Sequence, residues 1–204
     1  MTDKLDLKKM HKDIYAPSAK KVNWLDLGPM QYLMIDGGGV PESNAYQQAV
    51  QALFAVSYTL KFHIKKGSRG LDYAVMPLEG LWWADDMAHF TTNLDKTKWK
   101  WTMMIRQPDF VSEADVATAL KLCALKKDPP DLEGLRLESV TEGQVCQILH
   151  VGPFSEEGPT IEKLHGEIET EGKTLCGKHH EVYLSDIRRA APDKWRTILR
   201  QPAC

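Results

Sequence analysis

The spacing of hydrophobic and polar positions alternates along the chain between the period of a strand and the period of a helix. This alternation predicts a repeating order of elements. An apolar run at residues 31–36 precedes a glycine triplet and predicts a buried strand. Ser43 then opens a pattern of helical spacing that Gly67 ends, which predicts a capped amphipathic helix. Strands are predicted next at residues 71–83 and 99–107. The first half therefore reads strand, helix, strand, strand.

The second half repeats this order after a connecting helix. The connecting helix opens with the capping-box sequence SEAD at residues 112–115 and ends before the proline pair at residues 129–130. The elements predicted after it are a hairpin of strands at residues 135–140 and 144–151, a helix from Thr160 to Gly172, and strands at residues 179–185 and 195–201.

Two nearly identical segments support an internal duplication. KWTMMIRQP at residues 100–108 and KWRTILRQP at residues 194–202 each close one half. The fold expected is α+β, with tandem strand-helix-strand-strand modules, antiparallel sheets backed by helices, a pseudo-twofold axis and a central ligand cleft. The expected divisions are an N-terminal arm at residues 1–30 that packs on the first half, a first module at 31–110, a linker helix at 111–134 and a second module at 135–204.

Composition and charge narrow the class of protein. The chain has 204 residues and a formal charge of −2, and it lacks the clustered excess of Lys and Arg that marks a nucleic-acid surface. No apolar run reaches the roughly twenty residues that a membrane helix needs. Four widely spaced cysteines and an opening without an apolar signal segment indicate free thiols and a cytoplasmic location. We expect neither a nucleic-acid partner nor a membrane partner.

Two glutamates stand out as candidate chemistry, one in each half. Glu79 and Glu181 lie in predicted strands among apolar and aromatic residues, where burial would raise a carboxyl pKa toward neutrality. The plain alternative is a solvated glutamate on an outer sheet face, and the repetition brings the two interpretations about level. Six tryptophans allow flat walls for a planar ligand, although core packing claims some of them.

Other motifs are less informative. His179 and His180 are adjacent in a strand and point apart, so no metal site is predicted. The glycine triplet lacks the spacing and the lysine of a phosphate loop, and no cofactor is predicted. Glu157 precedes the second helix. Its side chain either points into the cleft or stabilises the N-terminal end of that helix through its negative charge. The second, structural role is narrowly preferred.

Several longer strings resemble a known family. GPF at residues 152–154, HEVYLSD at 180–186 and MPLEGLWW at 76–83 look like the GyrI-like small-molecule-binding domain, in particular its stand-alone members of about this length. The resemblance implies tandem modules around a ligand cleft. It also implies that Glu181 matches the glutamate that meets cationic aromatic compounds in multidrug-sensing relatives. Those relatives carry an N-terminal helix-turn-helix domain, for which the arm here is too short.

Some stand-alone members are similar to hydrolases that open the cyclopropane ring of DNA-alkylating compounds. The resemblance therefore suggests Glu181 as general base, with Glu79, Glu157 or Tyr183 as acid or hydrogen-bond donor, acting on a planar aromatic substrate in cellular protection. The residues expected to contact the ligand are Trp82, Trp83, Trp101, Met103, His150, Phe154 and His179. Two alternatives stay open: a non-catalytic protein that sequesters drugs or modulates gyrase, and a protein that acts only through protein contacts.

Overall fold

The structure is a computed structural model that describes residues 4–86, 89 and 95–204. These residues form a mixed α+β protein with five α-helices and eight strands. The helices are α1 (Leu7–Met10), α2 (Lys12–Tyr15), α3 (Asn44–Lys66), α4 (Glu113–Ala124) and α5 (Gly158–Thr170). The strands are β1 (Asn23–Leu27), β2 (Met30–Gly38), β3 (Glu79–Trp83), β4 (Lys100–Arg106), β5 (Arg136–Val140), β6 (Gly143–Val151), β7 (His179–Tyr183) and β8 (Arg196–Pro202).

The chain divides into two compact units. Unit 1 comprises the described residues within 1–7, 30–76 and 83–140, and unit 2 comprises residues 8–29, 77–82 and 141–204. Each half of the chain contains a strand, a helix and two further strands in succession, as expected. The duplication of modules and the cleft between them stay predictions.

In unit 1, antiparallel pairing joins β4 to β2 and β2 to β5, so that Met34 lies opposite both Met104 and Arg136. The long helix α3 packs on β2 and β4, and α4 packs on α3. Both predicted ends of α3 and the predicted start of α4 are confirmed. The Ser43 hydroxyl accepts a hydrogen bond from the Tyr46 amide at 3.2 Å, and the capping box opens α4.

In unit 2, antiparallel pairing joins five strands in the order β1, β6, β8, β7 and β3. Helix α5 covers one face of this sheet, because its apolar side chains share a core with β6 and β8. The members of that core are Cys146, Ile148, Leu164, Ile168, Leu199 and Ala203, with Val22, Trp24 and Ile161 packed against it.

Three expectations about strand pairing or length are wrong. The hairpin of β5 with β6 does not form: β6 pairs with β1 and β8 on its two edges, while β5 pairs with β2. The N-terminal arm packs on the first half only at its start, where Leu5 forms a bridge with Tyr73, whereas β1 pairs with β6 of the second half and Trp24 joins the core under α5. The strand predicted at residues 71–83 begins only at Glu79, because Pro77 has no amide to donate to a ladder.

The cysteine expectation is half correct. Cys123 and Cys146 are free and buried, whereas Cys176 and Cys204 form a disulfide. The chain brings this second pair together through hydrogen bonds between the main chains of Thr174 and Cys204, each 3.0 Å long. The Cα atoms of the two cysteines lie 6.0 Å apart, a separation that a disulfide spans. Their distance along the sequence gave no sign of this approach.

Candidate functional site

The strand register in unit 2 separates the candidate carboxylates onto two sheet faces. Glu181 lies opposite Gly80 of β3, whereas Glu79 lies opposite Val182. Directly opposed residues of an antiparallel pair share a face, and neighbours along a strand do not. Glu181 therefore shares its face with His179 and Tyr183, and Glu79 shares the other face with His180. We call the first the α5 face, because Leu199, opposite Glu181, belongs to the core under α5.

On the α5 face, Glu181 has a second carboxyl group as its neighbour. Glu157 directly precedes α5 and is only 6% exposed. Burial, together with the negative charge of Glu181, raises the pKa of Glu157 to about 9, although a hydrogen bond with Thr197 opposes the shift. Its Oε1 atom is buried without a hydrogen-bond partner among the described residues. Glu157 is thus a neutral carboxylic acid at neutral pH, beside a second glutamate.

Two histidines extend this cluster. The Nε2 atom of His179 lies 3.5 Å from Oε1 of Glu181. His165 of α5 interacts electrostatically with His179, and burial followed by that interaction lowers the pKa of His165. At neutral pH His165 is therefore a neutral imidazole beside His179.

Aromatic side chains border the same face. The Trp82 indole donates a hydrogen bond to the Tyr183 hydroxyl at 2.9 Å. The ring of Phe154 meets Tyr183 edge to face at a centroid distance of 5.9 Å, and it contacts Trp195 at 5.0 Å. Phe154 remains 38% exposed, whereas Trp82 is 3% exposed. Phe154 therefore offers an accessible ring, and Trp82 serves to orient Tyr183.

His150 supports the loop that carries Phe154 and Glu157. Its two ring nitrogens lie 3.0 Å from the Thr160 hydroxyl and 3.3 Å from the Pro153 carbonyl oxygen. Gly152 has a φ of +141° and lies against the His150 ring, so that a side chain there would be strained. His150 therefore holds in place the loop that leads into α5.

On the opposite face, Glu79 belongs to a buried chain of four ionisable groups. The Nε2 atom of His180 lies 3.0 Å from Glu79, and its Nδ1 atom lies 2.9 Å from Glu142. Arg200 donates to Glu142 at 2.9 Å. These side chains are no more than 5% exposed. Negative and positive groups alternate, so the chain is balanced in charge.

The pKa directions agree with this arrangement. Burial alone would raise the pKa of Glu142, but the adjacent His180 and Arg200 lower it to about 2. Burial alone would lower the pKa of His180, but the charge of Glu142 and hydrogen bonds to both glutamates raise it. His180 is therefore a buried imidazolium held between two carboxylates.

The same chain fastens the N-terminal arm to unit 2. The Tyr15 hydroxyl donates to Glu79 at 3.2 Å. Arg200 donates to the Gln147 side chain, whose amide donates in turn to the carbonyl oxygens of Asp13 and Ile14. Glu79 thus contacts structural partners on the face away from Glu181.

The remaining predicted contacts lie in unit 1. Trp101 is 1% exposed and lies against Gly37, with its ring edge to face with Tyr46 at 5.6 Å. Met103 is fully buried, and Trp83 is half-buried. Contact of these three residues with a ligand stays a prediction.

Sequence reasoning missed several residues of both clusters. Tyr15, Glu142, Gln147, His165, His180, Thr197 and Arg200 join them through long-range contacts. One signal was available: His180 and Arg200 are charged or ionisable residues at inward positions of apolar strands, and such residues need buried partners.

The chain is similar to a known protein family and to several proteins of known structure. A family model described as the GyrI-like small molecule binding domain matches residues 20–202. An uncharacterised conserved protein from Listeria innocua is 41% identical with a TM-score of 0.91, and 98% of this chain aligns with all of that protein. Two crystal structures of hydrolases from the same organism are each 40% identical, with TM-scores of 0.87 and 0.89; 98% and 99% of this chain align with the whole of each. No curated protein matches. None of the described helices has both the length and the apolar character to span a membrane.

Proposed function

Because the chain belongs to the GyrI-like small-molecule-binding family, we propose that it binds a planar aromatic compound on the α5 face and hydrolyses a strained cyclopropane ring within it. The observation that carries the proposal is the pair of Glu157 and Glu181. Two neighbouring carboxyl groups whose environments differ are suited to act as acid and base. The identity of about 40% to two Listeria innocua hydrolases supports a hydrolytic reaction.

The proposed substrate is a cyclopropane conjugated to a dienone. Glu157, protonated, donates a proton to the dienone oxygen. A water molecule attacks a cyclopropane carbon, its oxygen forms the new bond, and the ring bond to that carbon breaks. The electrons of the broken bond move into the dienone, which becomes a phenol. Glu181 accepts the proton that the water loses, and a proton then returns from Glu181 to Glu157, so the sum of the steps is the addition of one water to the substrate.

The neighbouring side chains have supporting roles in this scheme. His179 lies against Glu181 and positions its carboxyl group. Phe154 provides a ring on which the planar compound stacks, and Tyr183 supplies a hydroxyl held by Trp82. Glu79 contacts His180 on the opposite face of the sheet. The role of general acid is therefore assigned to Glu157 and not to Glu79.

The test is incubation of the purified protein with a cyclopropane-dienone alkylating agent, followed by chromatography with mass detection. We expect the product that has gained one water to form over many turnovers. Glu181→Gln should lower turnover about 10²-fold or more while the compound still binds. Glu162→Gln, an exposed glutamate of α5, is the matched control and should leave turnover unchanged.

A second outcome would favour the non-catalytic alternative. If the parent compound is retained in proportion to protein and no water adduct accumulates, the protein binds and sequesters aromatic compounds. The family description itself names small-molecule binding, which makes this the second candidate. Turnover that is equal in wild type and Glu181→Gln would overturn the assigned base.

A further inference from the structure

A groove between α3 and α4 in unit 1 exposes apolar side chains away from the site described above. It is lined by Tyr58, Thr59, Phe62, His63, Lys66, Gly67, Leu122 and Lys126. Tyr58 is 50% exposed, Phe62 47% and Leu122 42%, and Leu125, directly after α4, is 82% exposed. Tyr58 also stacks on Phe54 along α3 at 6.4 Å. A contiguous exposed patch of this kind marks an interaction surface.

The charged residues that line the groove are basic. Lys66 and Lys126 lie at its edge, and no carboxylate is among its described lining residues. Helix α3 contains no Asp or Glu in 23 residues. Two carboxylates of unit 1 have basic partners of their own: Asp72 pairs with Lys61 and Lys65, and Asp115 pairs with Arg69. The groove therefore presents apolar side chains within a positive field.

We propose that this groove docks an amphipathic helix of another protein, with apolar residues on one side and Asp or Glu along its margins. Tyr58 and Phe62, four residues apart on α3, line the groove together with Leu122 of α4, and this arrangement suits helix-in-groove recognition. The lining side chains remain about half exposed, so the groove is too shallow to enclose a small molecule. Like charges would repel a second copy of the same face.

The proposal is independent of the hydrolase assignment, because every residue in it lies in unit 1. It requires apolar contact and opposite charge together. Binding should therefore weaken as salt rises, and it should need both the apolar row and the lysines.

The experiment uses the full chain and a fluorescent, hydrocarbon-stapled helix with Leu and Phe along one face and Glu on both margins. A control peptide keeps the apolar face and replaces every Glu by Lys. Fluorescence anisotropy should show saturable binding of the acidic peptide and not of the basic one. Leu122→Ala should weaken binding about fivefold, whereas Leu175→Ala, a leucine of matched exposure (44%) in unit 2, should not. Lys66→Glu with Lys126→Glu should weaken it more than tenfold.

Three results would overturn the proposal. The first is no difference between the acidic and basic peptides, whether both bind equally or neither binds. Vesicles containing phosphatidylserine would bind through the same lysines while the acidic peptide did not, which would assign the surface to a membrane. Sedimentation would show a dimer that Leu122→Ala dissociates, which would assign it to a second copy.

Discussion

Glu79 and Glu181 lie on adjacent strands but point to opposite faces of the sheet, because Glu79 is opposite Val182 while Glu181 is opposite Gly80. The two glutamates therefore have different neighbours. Glu79 is fully buried against His180 and Tyr15, and Glu181 is only partly buried beside His179 and Glu157. One environment neutralises a buried cation, and the other leaves a carboxylate next to a neutral carboxylic acid.

The two glutamates should consequently respond differently to the same substitution. Glu79→Gln should lower the free energy of unfolding by about 3 kcal/mol, because it leaves the buried His180 cation with one carboxylate fewer. Glu181→Gln should change that free energy by less than about 1 kcal/mol and lower turnover instead. Chemical denaturation and the water-adduct assay on both variants separate the effects. A large loss of stability in Glu181→Gln would contradict this division.

The local features of the fold were predictable from the sequence. Ser43, Gly67 and the capping box at Ser112 fix helix ends through contacts within a few residues, so the helices of unit 1 were predicted well. Strand partners depend on residues far apart in the sequence. The pairing of β1 with β6 and the disulfide between Cys176 and Cys204 therefore had no local signal.

The candidate site was predictable only in part, for the same reason. The periodicity of residues 179–183 put Glu181 and Tyr183 on one face, which the structure confirms. The relation of that face to Glu79 depends on register, which a single sequence does not contain. The raised pKa of Glu157 depends on burial at the start of α5. The sequence around Glu157 was equally consistent with a residue that only stabilises the N-terminal end of a helix.

The buried chain should give the protein a distinct pH window of stability. The pKa of Glu142 is lowered to about 2, so its contribution is complete above its ordinary value of 4.5 and is lost as the pH falls toward 2. The pKa of His180 is raised, so its contribution is complete below its ordinary value of 6.5 and is lost as the pH rises through the folded value. Stability from the chain should be greatest between these ordinary values.

Glu142→Gln tests this window. At a pH between 4.5 and 6.5 it should lower the free energy of unfolding by about 3 kcal/mol, and the difference from wild type should shrink on either side. Glu138→Gln removes an exposed ion pair with Arg136 and should cost less than about 1 kcal/mol at any pH. A difference for Glu142→Gln that is independent of pH would contradict the charged chain.

The disulfide should stabilise unit 2 measurably. Cys176 and Cys204 are separated by 28 residues, and closing a loop of that size in the unfolded chain contributes about 3 kcal/mol. Cys204→Ser, or reduction of the wild type, should lower the free energy of unfolding by that amount. The Cys123→Ser variant keeps the disulfide, so reduction should lower its free energy of unfolding by the same amount as in the wild type. A wild type whose unfolding is insensitive to reductant would show that the bond does not form.

Ionisation of Glu157 at high pH should lower the free energy of unfolding, and its protonated form should support catalysis. Its folded pKa is raised from 4.5 to about 9, so its favourable contribution is complete below 4.5 and is lost as the pH rises through about 9. Glu157→Gln cannot ionise, so its free energy of unfolding should exceed that of the wild type by a margin that grows as the pH rises from 4.5 toward 9, and it should be no more stable at pH 4.

The same group predicts the alkaline limb of the reaction. If protonated Glu157 donates to the substrate, turnover should fall as the pH passes about 9, and Glu157→Gln should lose about 10²-fold or more at pH 7 while it retains binding. Glu181→Gln removes the negative charge that contributes to the shift, so it should lower the pKa of Glu157. Carbon-detected NMR titration of the Glu157 carboxyl in both forms measures this directly. An unchanged titration would show that burial alone sets the acid and that Glu181 plays no part in tuning it.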